Sequence, residues 1–224
     1  MSEELAHQAA RVGALAEPTR RALYLYVSAQ PDAVGREEAA EAVGVAAHTA
    51  KFHLDRLVDE GLLDVEFRRL TGRTGPGAGR PAKLYRRSAV EVSVSLPERR
   101  YDLAGEVLAA AVSRAARSGT PVVEEVRAVA AETGRLMATD APATGDDLER
   151  TAGVLARYGY EPRASEAEVC LTNCPFDRLA TQHTELVCGM NLALVGGVVE
   201  GLGATGLQPE LAPRPGFCCV RVRG

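Results

Sequence analysis

The 224-residue chain contains no tryptophan, and aromatic residues make up only 4% of it. A surface that stacks unpaired bases would have to be built from very few rings, which weighs against single-strand binding. No apolar stretch approaches the ~18 to 20 residues of a membrane span, so insertion is not expected. Met1 to Ala10 carries Glu3 and Glu4 and has no basic flank leading into an apolar run. It does not read as a secretion signal, and the expected location is the cytoplasm. Cysteine is missing from the first 169 residues. The five that follow are too few for a disulfide scaffold and are expected to stay reduced, which turns attention to metal or redox chemistry.

What remains is ordinary globular material, 46% hydrophobic and 25% charged. The length favours two modest domains, placed at 1–96 and 97–224. The net charge of −4 is uneven: residues 1–100 sum to +1 and residues 101–224 to −5. Between Phe67 and Val90 lie seven basic residues (Arg68, Arg69, Arg73, Arg80, Lys83, Arg86, Arg87) and no acid. A local positive field of this kind can dock a polyanion even on an acidic protein, although a solvated hairpin face has the same composition.

Inside the basic run, Thr71-Gly-Arg-Thr-Gly-Pro-Gly-Ala-Gly-Arg-Pro81 cannot continue a helix or a central strand. It is a loop, and no Gly-Lys-Ser/Thr follows it, so a nucleotide cradle is rejected. Upstream, Glu17 to Ala29 and Arg36 to Val43 read as helices, with Pro18 at a tolerated first-turn position and Gly44 as a left-handed cap. A third helix, Ala47 to Glu60, turns Ala50, Leu54, Leu57 and Val58 inward and stops at Gly61. Leu62 to Phe67 alternates as a strand, and Pro81 to Tyr85 is its partner across the loop.

Helix, short glycine turn, helix and a two-stranded ribbon with a cationic loop is the layout of a winged helix-turn-helix. Its second helix is sized for the major groove, with His48, Thr49, Lys51 and Arg56 on or near the outer side. Arg73, Arg80 and Lys83 are the wing contacts, mainly to phosphate. His53 is equally compatible with a packed residue and a contact. The segments Ala16-Glu-Pro-Thr-Arg-Arg-Ala22, Thr49 to Leu63 and Gly79-Arg-Pro-Ala-Lys-Leu-Tyr85 resemble ArsR-like winged-helix repressors over about residues 14–88. The resemblance implies a double-stranded operator and a homodimer.

In the second half, Pro97 to Gly119 contains a linker and a helix whose stripe of Leu103, Val107, Leu108, Ala111 and Val112 serves a core or a dimer seam. Further helices run from Val122 to Ala138 and from an Asp146 cap through Tyr158. After Gly159 the expected order is a strand over Arg163 to Leu171, a cysteine loop, a long apolar helix over Thr184 to Leu202 and a strand over Phe217 to Val222. The fold class expected is α+β: a winged helix-turn-helix followed by an α+β regulatory domain with a cysteine-bearing loop and helix.

The cysteines fall as Cys170-x3-Cys174-x13-Cys188-x29-Cys218-Cys219. Each has a bland reading as a small buried hydrophobe, and strand alternation makes one of Cys218 and Cys219 a spectator. Cys174 before Pro175, His183 beside the helix start and Cys188 in its opening turns favour a ligand set. Thiolates with one imidazole suit an iron–sulfur cluster or zinc and disfavour magnesium or calcium. The segment Asn173-Cys-Pro-Phe-Asp-Arg-Leu-Ala-Thr-Gln-His-Thr-Glu-Leu-Val-Cys188 is similar to the iron–sulfur-sensing repressors of the Suf cluster-assembly operon. That resemblance implies a cluster held by Cys174, Cys188 and either Cys218 or Cys219, with Cys170 or His183 as the fourth ligand, and repression when the cluster is present. Two other functions compete. One is a repressor whose apolar helix, Leu186 to Leu202, lines a pocket for a small apolar ligand. The other is a thiol enzyme with Cys188 as nucleophile and His183 as base, which lacks a nameable orienting group; the chain is expected not to be an enzyme.

Overall fold

The computed structural model describes residues 3–69, 81–142 and 144–224. The chain divides into two compact units, Met1–Val94 and Ser95–Gly224.

The first unit runs α1 (Glu3–Ala14), α2 (Pro18–Ala29), β1 (Val34–Gly35), α3 (Arg36–Val43), α4 (Ala47–Asp59), β2 (Leu63–Arg68) and β3 (Ala82–Arg87). The Glu17 carboxylate caps α2 by accepting the backbone N–H groups of Thr19 at 3.0 Å and Arg20 at 2.6 Å, and Pro18 follows where no donor is needed. Gly44, at φ 75°, ends α3 in the left-handed region that a side chain resists, and this short turn sets the angle to α4. Ala50, Leu54 and Leu57 recur at helical spacing and are fully buried against Leu23, Val27 and Tyr85. Each such leucine stabilises the unit by about 1.5–3 kcal/mol. β2 and β3 pair antiparallel from Leu63 opposite Arg87 to Arg68 opposite Ala82, and β1 adds on the far side of β3. The two-residue β1 is too short to alternate and was not expected, nor was α1. Of the glycine-rich loop, everything before Pro81 lies outside the described residues, and so do Arg73 and Arg80.

The second unit runs α5 (Tyr101–Ser118), α6 (Val122–Met137), a single 3-10 turn (Ala138–Asp140), α7 (Asp147–Arg157), β4 (Pro162–Ala164), β5 (Glu168–Leu171), α8 (Asp177–Gln182), α9 (Thr184–Gly201), β6 (Gln208–Leu211) and β7 (Val220–Arg223). The strands form an antiparallel sheet in the order β4-β5-β7-β6. α6 and α9 pack backbone to backbone: a Cβ on Gly134 would lie 2.0 Å from the Leu194 carbonyl oxygen, and one on Gly197 would lie 2.1 Å from that of Ala131. The core joins Val126, Val129 and Leu194 of this pair to Val169, Leu171 and Val222 of the sheet.

Three expectations change here. The strand expected over Arg163 to Leu171 is a hairpin, because the Ser165 hydroxyl and amide both bond Glu168 and fold the chain between β4 and β5. The strand expected from Phe217 begins at Val220, since Cys218 and Cys219 sit in the approach to it. The absence of any span-length apolar segment has one exception: α9 is long and apolar enough to cross a bilayer by length and composition. Val187, Met190, Leu194, Val195 and Val198 are nonetheless buried within the unit, as in a core helix.

Candidate nucleic-acid interface and cysteine cluster

α4 is the second helix of the helix-turn-helix, and its outer face carries the residues expected to meet DNA. His48 is exposed and Thr49 is partly so. Among the described residues, Lys51, Arg56 and Lys83 have partners inside the unit. Lys51 Nζ donates to Asp55 Oδ2 at 3.0 Å, Lys83 Nζ donates to Asp55 Oδ1 at 2.6 Å, and Arg56 pairs with Glu60 at 2.5 Å. Asp55 also accepts from the Tyr85 hydroxyl at 2.9 Å, which ties the helix to β3. His53 turns away from this face: its Nδ1 lies 3.5 Å from both the Glu17 carboxylate and the Arg20 guanidinium at the start of α2. Sequence reasoning missed Phe52. It is 66% exposed on α4, one helical turn after His48, and its helical register with His48 is all that the sequence offers.

In the second unit, four of the five cysteines come together from three parts of the chain. Cys174 lies in the loop between β5 and α8, Cys188 in the second turn of α9, and Cys218 and Cys219 just before β7. The Cys218 amide donates to the Leu171 carbonyl at 2.8 Å, and Ala212 donates to the Cys219 carbonyl at 2.8 Å, so the approach to β7 is pinned on both sides. Buried Asn173 anchors the other loop by donating to the carbonyls of Glu98 at 3.0 Å and Gly159 at 2.5 Å and accepting from Arg99.

Cys218 is the centre of the group. Its sulfur accepts from Asn191 Nδ2 at 3.2 Å, and Cys174, Cys188 and Cys219 line the same cleft beside it. The Cys174 and Cys219 contacts, with the Val220 amide and Asn191, draw the Cys218 pKa down strongly against the effect of burial. The Cys218 contact pushes Cys174 and Cys219 well up, and burial adds to it. Behind Cys218, the Tyr160 hydroxyl donates to Asn191 Oδ1, and both residues are buried. Asn191 was also missed, although an amide in the middle of an apolar helix is a visible anomaly.

All four cysteines line one cleft of about 390 Å³, whose rim includes Asp177, Arg214 and Phe217. Among the described residues no group of three or more His, Cys, Asp or Glu stands ready to hold a metal ion. The donor chemistry of four clustered thiols nevertheless fits a thiophilic metal or an iron–sulfur core.

The other two expected members are elsewhere. Cys170 is on β5 between Val169 and Leu171, whose side chains fill the core, so its own faces the opposite side of the sheet. There it donates to Glu168 at 3.1 Å and accepts from Arg214 at 2.8 Å, and burial with Glu168 raises its pKa. His183 is exposed at the junction of α8 and α9, and only its backbone appears among the hydrogen bonds of the described residues. Among the described residues no hydrogen bond joins Cys188 to the His183 imidazole, the contact that a thiol enzyme requires. Strand alternation does not separate Cys218 from Cys219 either, because both precede β7.

The chain matches no curated relative and no solved structure. A family model described as a helix-turn-helix domain matches residues 15–66, the stretch from the end of α1 into β2. The first unit therefore contains a helix-turn-helix domain, which suggests a DNA-binding regulator.

Proposed function

We propose that the chain is a homodimeric transcriptional repressor whose operator affinity is set by an iron–sulfur cluster, or zinc in its place, held by Cys174, Cys188, Cys218 and Cys219. The observation that carries this reading is the meeting of these four sulfurs in one cleft, from segments up to 45 residues apart in sequence. This proposed set omits Cys170, which faces the other side of β5, and His183, which is exposed between α8 and α9. The resemblance of Asn173 to Cys188 to the Suf-operon repressors agrees with the choice of metal chemistry.

When bound, an iron–sulfur core would cross-link the three segments and add sensitivity to oxidant and iron supply. The residues of this chain hold the site in the meantime. Asn173 and Arg99 fix the Cys174 loop, Asn191 and Tyr160 orient Cys218 from the core side, and the Arg214 guanidinium lies 3.8 Å from the centre of the Phe217 ring at the rim. Such supports set ligand orientation in metal sites generally. Regulation follows if the ligated and unligated second unit favour different DNA-competent states of the dimer, and linkage then requires operator DNA to change metal affinity by the same factor.

Anaerobic purification with assays of iron, sulfide and zinc, followed by operator binding before and after metal removal, tests this. Stoichiometric metal and at least about a fivefold change in operator affinity are expected. Metal-free protein that binds operator equally before and after reconstitution overturns it.

A second reading has its own observation. A cavity of about 580 Å³ lies beside Cys188 and Cys219, walled by Leu192, Ala193, Leu211 and Pro213 with Arg127 at its edge. It would suit a small, mostly apolar ligand in a repressor whose cysteines are structural. Ligand-induced release of operator by metal-free protein would favour it.

A further inference from the structure

The charges of the DNA-facing side are arranged around one acid. Asp55 lies one turn after Lys51 on α4 and faces β3, where Lys83 and Tyr85 stand. Its two oxygens accept from Lys51 at 3.0 Å, Lys83 at 2.6 Å and the Tyr85 hydroxyl at 2.9 Å. Lys83 Nζ also lies 5.1 Å from the Tyr85 ring centre, so it is held from two sides. A recognition helix ordinarily gains affinity from cations, yet here one carboxylate engages a cation from the helix and another from the wing strand.

We propose that Asp55 is a specificity-determining positioning residue of the DNA interface. It braces the wing strand against the recognition helix and withholds the ammonium groups of Lys51 and Lys83 from the phosphate backbone. The inference rests on the DNA-binding reading and goes beyond it. Phosphate contacts bind every sequence alike, whereas base contacts discriminate. Restraining two backbone-directed cations therefore lowers affinity for arbitrary duplex while sparing discrimination by His48, Thr49 and Phe52, and this raises the ratio of specific to non-specific binding. Lys83, expected from sequence to be a phosphate contact, becomes a strut.

The sign of this effect separates it from a purely structural role. The test is binding of the full-length protein, in one fixed metal state, to a duplex of random sequence across a salt series. D55N keeps the shape of the side chain and its capacity to bond Tyr85. It should bind random duplex about 5- to 30-fold more tightly at ~50 mM salt, with a plot of log K against log salt steeper by about 0.9 to 1.8. K83M alone should leave the slope unchanged, whereas K83M added to D55N should reduce it by about 0.9. Weaker or unaltered binding by a folded D55N overturns the proposal. So does a flatter slope for K83M alone, and that variant decides the matter if D55N does not fold. If neither the native chain nor any variant binds duplex DNA, the DNA-binding reading fails, and this inference with it.

Discussion

Cys170 and Cys174 are four residues apart, yet one faces the outside of a sheet and the other lines the cleft with three more sulfurs. Substitution should separate them cleanly. Cys170→Ser is expected to keep the metal content of the native protein, whereas Cys188→Ser or Cys218→Ser should lose most of it on anaerobic purification. Asn191→Leu, which removes the amide donor to Cys218 without touching a thiol, should cost about 10- to 100-fold in metal affinity, read by competition with a chelator. On α4, Phe52 is exposed, and an apolar side chain on a helix lying in the major groove would contact a thymine methyl group. Phe52→Ala should cost on the order of 1 kcal/mol on the operator, and replacing the contacted thymine by uracil should then cost nothing more. Asp55 supplies a pH signature. Burial opposes its charge, but hydrogen bonds from Lys83, Lys51 and Tyr85 outweigh that and hold its carboxyl down to about 2. Because the folded value lies below the unfolded one, its contribution is complete above about pH 4 and disappears as pH falls through about 2. Partial exposure limits that contribution to about 1 kcal/mol, and the acid unfolding of D55N should lack it.

At the level of elements, local chemistry explains which boundaries could be foreseen. Pro18, Gly44 and Gly61 act within a single turn, so α2, α3 and α4 were legible to within a residue or two. The Asp146 cap did the same for α7, where the structure completes a capping box with Glu149. What escaped depends on distant partners. β1 exists only because β3 offers it an edge, and β6 only because β7 does. The meeting of Cys174 with Cys218 is likewise set by the pairing of β5 with β7, which no spacing along the chain encodes. The glycines of α6 and α9 belong to this long-range class too. Gly197→Ala would force a methyl group against the Ala131 backbone, and it should lower stability by about 1–3 kcal/mol in denaturant unfolding while α-helical content is retained.

For the whole molecule, the sequence pI of about 5.7 predicts poor attraction to DNA if charge is averaged over the chain. The basic stretch around the wing concentrates the positive charge instead, so operator binding should fall steeply between about 50 and 200 mM salt despite the acidic total. Removing Arg73 and Arg80 together should flatten that dependence by about one unit for each lost phosphate contact.

The buried chain from Tyr160 through Asn191 to Cys218 has an optical consequence. With six tyrosines and no tryptophan, the protein's ultraviolet emission is that of its phenols alone. One of those phenols sits two hydrogen bonds from the sulfur at the centre of the cleft. A coloured iron core would drain its excited state, and a colourless ion would not, so the fluorescence of an untouched sample would register what the thiols carry.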